Sequence, residues 1–208
     1  VTEIVEITVG NDGIAFANSA KSKKYNFTKS QLWKALAAKG PKPATWREID
    51  PKLPDTKIEV LVPPPTSGTR DAWNSLVMKQ GCDPAVKAKD KKACELMRED
   101  GAVVEAGEND TLIVKRLNSD PKYFGIFGFS FLDQNRDLIQ SSLIDGVEVS
   151  LEAIQDYSYP IARPLFFYAK KAHFDIIPGM KEFMAEYMSD SAMGEYGYLS
   201  DIGLVPLA

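Results

Sequence analysis

The sequence predicts an α/β protein, with helices on the faces of a sheet and the sheet divided into lobes. Three observations carry the prediction. Strand-like and helix-like segments alternate along the chain. The strands are short and broken by excursions, which favours lobes over one broad sheet. The 208 residues are 44% apolar, enough for one large domain or two small lobes with a real core.

The elements follow in order. Val1 to Val9 alternates as a strand, Gly10-Asn11-Asp12-Gly13 reads as a turn with Asp12 as its former, and Ile14 to Ala17 resumes as a second strand, a hairpin-like start. Thr28 followed by Gln31 is a capping-box pattern ahead of Leu32, Trp33, Leu36 and Ala37, and Gly40-Pro41 stops that helix after about three turns. Lys57 to Val62 is a strand, Pro63-Pro64-Pro65 a stiff connector, Thr66 to Thr69 a small-residue loop, and Arg70 to Met78 a helix. Asp83 to Arg98, rich in Lys and Ala, is a solvated excursion flanked by Cys82 and carrying Cys94. Val103-Val104-Glu105 is a short strand, and Asn109 caps a helix from Asp110 to about Leu117. Tyr123 to Phe131 reads as a buried strand with Gly125 and Gly128 inside it. Further strands fall at Leu138 to Leu143 and Pro164 to Tyr168, and the Phe/Tyr-rich strands are expected in the core. An amphipathic helix follows from Pro178 to Met188, with Met180, Phe183, Met184 and Tyr187 on one face.

Composition excludes several functions. No run of 18 apolar residues occurs; the longest are strand-sized, such as Leu165-Phe166-Phe167-Tyr168, so no bilayer span is expected. With 25 basic against 29 acidic residues the net charge is −4, and no basic stripe is present to neutralise the phosphates of a nucleic acid. Lys87, Lys89, Lys91 and Lys92 read as solvated surface. The chain opens without a charged-then-apolar leader, so any export signal is expected to have been removed. Cys82 and Cys94 are spaced to close a small disulfide loop in an oxidising compartment, and two free thiols fit the count equally. With His173 the only histidine, a four-ligand Cys/His zinc site cannot be assembled, and His173 reads as a surface or helix-start residue.

The stretch from Val62 to Trp73 carries the chemistry. A strand that ends in a small-residue loop and opens a helix brings unpaired backbone N–H groups to one point, with the positive end of the helix dipole behind them. Ser67 and Thr69 add hydroxyls, Gly68 leaves the backbone accessible, and Arg70 offers a planar fork of charged donors suited to a tetrahedral oxyanion. Asp71 is expected to pair with Arg70 and orient it. The plainer alternative is that Ser-Gly-Thr is an ordinary helix cap.

Here the sequence resembles a known family. Pro64-Pro65-Thr66-Ser67-Gly68-Thr69-Arg70-Asp71-Ala72 is similar to the phosphate loop of the periplasmic phosphate-binding proteins that serve ABC importers. The stretches Gly10 to Ser19, Tyr123 to Gly128, Tyr159 to Pro164 and Tyr198 to Leu207 agree in order and spacing, so the resemblance spans essentially the whole chain. It implies a periplasmic-binding-protein-like fold in which hydrogen phosphate is trapped between lobes by hydrogen bonds alone, with no cofactor, no metal and no enzymatic step. Ser67, Gly68, Thr69, Arg70 and Asp71 would be the phosphate-binding residues. Some members place the neutralising arginine before Ser-Gly-Thr; the proline run stands there in this chain, which leaves Arg70.

The resemblance further implies a partner set and a layout. The partners are inorganic phosphate and ABC permease subunits, and the location is periplasmic or secreted. Family members begin with about half of a first lobe that holds another anion loop and a carboxylate, and Val1 falls where that lobe is nearly finished. Residues 1–18 would then end lobe one, 19–160 would form lobe two with the anion loop, and 161–208 would return to lobe one. A half-built lobe would bare apolar surface and favour self-association. It would also leave the acceptor that separates hydrogen phosphate from sulfate outside this chain. Two alternatives of other classes stand beside this reading: a phosphoester hydrolase with Ser67 as nucleophile, and a partner-docking domain whose anion loop is vestigial.

Overall fold

The computed structural model describes residues 3–107 and 109–207, so the strand start expected at Val1 and Thr2 lies outside the described residues. The chain divides into two units. The larger comprises Ile14–Val149 with Tyr159–Ile161; the smaller takes the chain through Gly13, Ser150–Ser158, and the residues from Ala162 onward.

In chain order the elements are β1 (Ile4–Ser19), β2 (Asn26–Phe27), α1 (Lys29–Leu36), β3 (Val60–Val62), α2 (Gly68–Trp73), α3 (Lys79–Gly81), α4 (Pro84–Lys89), β4 (Val103–Glu105), α5 (Asp110–Ser119), β5 (Phe124–Gly128), α6 (Phe129–Gln134), β6 (Ile139–Ser141), β7 (Leu143–Ile144), α7 (Leu151–Gln155), β8 (Ala162–Lys170), α8 (Met180–Tyr187), α9 (Asp190–Met193) and α10 (Tyr198–Asp201). The predicted α/β class holds.

In the larger unit the strands lie in the order β4-β3-β5-β1-β6. β3 runs parallel to β4 and β5, while the second half of β1 is antiparallel to β5 and β6. Parallel strands need crossovers, and helix-bearing segments supply them between β3, β4 and β5. The core is aromatic: Phe16 stacks on Phe124 at 4.9 Å between ring centres and meets Phe27 edge-on at 5.1 Å, with Trp46 and Trp73 fully buried beside them. Cys82 and Cys94 form a disulfide with their Cα atoms 5.5 Å apart, which decides between the pairing and the free thiols.

The smaller unit pairs the first half of β1 with β8, Glu6 opposite Tyr168 and Thr8 opposite Phe166. Helix α8 covers one side of this ribbon, where Phe167 lies 5.5 Å from Tyr187 and 6.2 Å from Phe183.

Five sequence expectations are corrected. The hairpin-like start is one continuous strand: Gly10 to Gly13 runs straight through β1 with only a bulge between Thr8 and Gly10, and Asp12 is a strand residue paired with Arg163. Helix α1 has the predicted capping box, with Thr28 and Gln31 bonded reciprocally, yet it ends at Leu36, because the Ala38 N–H leaves the helix to donate to the Leu96 carbonyl at 2.8 Å. The strand expected through Phe131 stops at Gly128 and becomes α6, and the strand expected from Leu138 to Leu143 breaks into β6 and β7, which belong to different sheets. Phe166 and Tyr168, expected in the core, are exposed, since alternation along β8 turns them away from α8.

Candidate oxyanion site

Three buried valine and leucine residues make β3 a central strand, and a proline run ends it because proline cannot continue the ladder. Pro64 accepts the Ser67 N–H at 3.0 Å, which folds the connector into a turn. Ser67 is the N-cap of α2: its backbone is extended (φ −73°, ψ 135°), its Oγ accepts the Thr69 N–H at 3.2 Å, and its carbonyl accepts the Asp71 N–H at 3.0 Å. The helix thus begins with the orphan N–H groups of Gly68, Thr69 and Arg70, of which Ser67 takes one. Gly68 is exposed and Thr69 half-buried. The helical path continues past Trp73 through a π-helical stretch, Asn74–Met78, which seats Val77 and Met78 in the core. Such a wide turn commonly accompanies functional sites.

Arg70 turns inward and is only 8% exposed. Its Nη1 donates to the Pro63 carbonyl at 3.0 Å, and its buried Nε has no hydrogen-bond partner. Burial pushes the guanidinium below its usual range, and the negative charge of Glu105 works in the opposite direction. The group stays cationic at any ordinary pH. An anion at this point would satisfy both the charge and the orphaned donor.

The expected pairing of Asp71 with Arg70 gives way to a different arrangement. Adjacent helical residues do not share a face, so Arg70 points in while Asp71 is exposed on the first turn, where its charge suits the helix dipole. The Pro63 carbonyl holds the arginine, and the acid whose charge acts on it is Glu105. Sequence reasoning passed over Glu105. It is the last residue of β4, aligned with Val62 at the end of β3, and that register links segments too far apart in the chain to be read locally.

The other weighed residues fall elsewhere. His173 sits in the 3₁₀ turn Lys171–His173, and Lys87, Lys89, Lys91 and Lys92 lie on or beside α4. Among the described residues, no three His, Cys, Asp or Glu side chains are grouped to hold a metal ion, and no helix is long and apolar enough to cross a membrane.

A family model described as a PBP superfamily domain matches residues 1–191. The phosphate-binding protein PstS of Staphylococcus epidermidis is 28% identical over 203 residues, covering 94% of this chain and 56% of that protein. Its counterpart from Staphylococcus saprophyticus is 26% identical over 208 residues, covering 97% and 57% respectively. The chain therefore spans little more than half the length of these relatives. Among solved structures, a possible phosphate-binding protein from Planctomyces limnophilus superposes with a TM-score of 0.72 at 22% identity, over 99% of this chain and 68% of the other. A putative phosphate ABC transporter substrate-binding protein from Clostridium perfringens, solved with bound phosphate, gives 0.71 at 20% identity, over 99% and 72%. At these identities the superpositions speak for the fold.

Proposed function

The chain belongs to the PBP superfamily, and we propose that within it the chain binds inorganic phosphate non-covalently at Ser67, Gly68, Thr69 and Arg70. One observation carries the proposal: Arg70 is buried with a donor unpaired, at the start of a helix whose first N–H groups converge on the same loop. A buried, unsatisfied cationic donor is costly to keep unless a ligand uses it. The relatives are named phosphate-binding proteins, which points to the same anion.

In this reading the Gly68 and Arg70 N–H groups and the Ser67 and Thr69 hydroxyls bond the oxygens, and the guanidinium supplies the positive charge. Asp71 tunes the first helical turn rather than touching the anion. The larger unit acts as lobe two with the anion loop and the smaller unit belongs to lobe one, so the boundaries expected at 18/19 and 160/161 move to Gly13/Ile14 and Ile161/Ala162, and Ser150–Ser158 goes with lobe one. Binding is followed by delivery to ABC permease subunits outside the cytoplasm, without chemistry on the ligand. The Cys82–Cys94 disulfide fits that oxidising location.

Calorimetric titration of the 208-residue chain with phosphate tests the proposal. The wild-type chain is expected to bind, and Arg70→Ala to weaken binding by about a hundredfold or more, the scale of a lost charge-assisted contact whose partners stay desolvated. Unchanged affinity in Arg70→Ala would remove Arg70 from the site. A wild-type chain that binds no anion would overturn the reading as a whole.

A further inference from the structure

The excursion between Cys82 and Cys94 is held in place while adding almost nothing to the core. The disulfide brings its two ends to a Cα–Cα distance of 5.5 Å. Between them, Asp83 caps α4 by accepting the Ala85 N–H at 2.8 Å, Pro84 stands in the first turn, and the Asp90 carboxylate accepts the Lys92 N–H at 2.9 Å as the chain enters the 3₁₀ turn Lys92–Cys94. No residue of α4 is buried, and from Asp83 to Ala93 only Ala93 is. Chain segments are usually ordered by the apolar surface they bury; here a covalent staple and two carboxylates bonded to backbone N–H groups do that work. What the staple displays is charge. Lys87, Lys89, Lys91 and Lys92 fall within six consecutive residues, and all four are exposed. Among the described residues none of the four is in an ion pair: the two aspartates of the excursion serve the backbone, and Glu95, the next acid along the chain, pairs with Lys79 at 3.5 Å.

With a net charge of −4 the chain as a whole is repelled by an anionic surface, so attraction has to come from a local patch acting within a Debye length, about 8 Å at physiological ionic strength. The residue types decide which surface suits it. Protein interfaces are enriched in aromatic residues, Met and Arg and depleted in Lys, and single-stranded nucleic acids are bound on aromatic platforms; between its cysteines the excursion has no aromatic residue, no Met and no Arg. Lysine is a compact, hydrated point charge on a flexible stem, which suits a partner whose charge is spread over a mobile surface. A bilayer containing anionic lipid is such a partner, and a cluster of four or more basic residues is its usual footprint. We infer that the Cys82–Cys94 excursion is a peripheral contact for an anionic lipid surface, with the Lys87, Lys89, Lys91 and Lys92 ammonium groups as its anchoring charges. The contact is electrostatic and without insertion, since the apolar residues of α4 are the small Pro84, Ala85, Val86 and Ala88. It stands apart from the oxyanion site and needs no bound phosphate.

The test is co-sedimentation of the disulfide-intact 208-residue chain with vesicles of phosphatidylglycerol and phosphatidylcholine, against vesicles of phosphatidylcholine alone, at low and at physiological salt. The loop variant is Lys87→Gln/Lys89→Gln/Lys91→Gln/Lys92→Gln. A control variant, Lys21→Gln/Lys23→Gln/Lys52→Gln/Lys115→Gln, removes four exposed lysines elsewhere, so the two variants carry the same net charge. Thermal midpoints report that both are folded, as the exposure of all eight positions leads one to expect. Wild type and control are expected to bind only the vesicles that contain phosphatidylglycerol, and less as salt rises. The loop variant is expected to bind at least about twentyfold more weakly, at roughly fivefold for each lysine near an anionic surface. A wild-type chain that ignores the anionic vesicles overturns the inference, as does undiminished binding by the loop variant. An equal loss in the two variants also overturns it, because net charge and not the excursion is then responsible. Retention of wild type but not of the loop variant on heparin, without vesicle binding, would assign the lysines to a soluble polyanion and overturn the lipid contact.

Discussion

Arg98 and Arg70 are both buried, at 9% and 8% exposed, and the chain treats them differently. Arg98 is fully engaged: Nη1 donates to the carbonyls of Ala35 and Pro43 at 2.9 and 2.8 Å, while Nε and Nη2 grip Asp100 at 2.9–3.1 Å. It fastens the end of α1 and the segment after it to the segment before β4, a structural task. The hydrogen bonds from Arg98 hold the Asp100 carboxyl below the usual carboxylate range. A carboxyl with a lowered folded-state pKa contributes stability above its unfolded value of about 3.9, and that contribution is lost as pH falls through the folded value. Asp100→Asn is therefore expected to lower the urea midpoint at neutral pH, by the equivalent of about 1 kcal/mol for a half-exposed pair, with the gap to wild type closing below about pH 4. A gap that persists at low pH would assign the effect to packing. Arg70, by contrast, keeps a buried donor unpaired. That Arg70 matters was legible in Ser-Gly-Thr-Arg itself. That the charge acting on it comes from Glu105 was not, because the place of Glu105 depends on strand register.

Strand β1 is the element where local signals mislead most. Gly10-Asn11-Asp12-Gly13 has turn composition, yet each residue has a long-range reason to stay extended. The Asn11 N–H donates to the Val205 carbonyl at 2.7 Å, the Asn11 side chain bonds Tyr157 and the Pro206 carbonyl, and Asp12 pairs with Arg163 at 3.1 Å. Burial pushes the Asp12 carboxyl upward despite that arginine. Gly10 is required for lack of space: a Cβ there would lie 2.7 Å from Leu204 Cδ1 and 2.8 Å from the Val205 carbonyl oxygen. The leucine can move, but the carbonyl is fixed by Asn11. Gly10→Ala is expected to cost about 1–3 kcal/mol, read as a lower denaturation midpoint with an unchanged slope. A neutral result would mean that the Val205–Leu204 segment yields. Helices read more reliably: the Thr28–Gln31 box forms as expected, since a cap needs only residues within one turn, and α5 starts at Asp110 as expected, although the Asn109 side chain makes no capping hydrogen bond. Phe129 to Phe131 reads as the end of a strand and folds as the start of α6, a case where tertiary packing outweighs propensity.

For the whole chain, the distribution of exposed apolar side chains is uneven. Among the described residues the larger unit leaves only Leu96 and Leu112 strongly exposed among large apolar side chains, whereas the smaller unit exposes Ile4, Phe166, Tyr168, Ile176, Tyr196 and Ile202, among others. A surface of that kind favours association. Sedimentation velocity is expected to show the chain heavier than its 23.0 kDa monomer at micromolar concentration, and Phe166→Ser/Tyr168→Ser to shift it toward the monomer. A monomer at all concentrations would refute the expectation. By itself the sequence determined the α/β class, the Thr28–Gln31 capping box and the Ser67–Arg70 loop, because each is written in side-chain periodicity or in contacts within a few residues. Only the tertiary structure decided that Gly10 to Gly13 is strand, that the cysteines are paired, and that Arg70 is buried while Asp71 stays exposed. These depend on which distant segments meet and in what register, and burial and hydrogen-bond satisfaction across the fold select that register where local propensity cannot.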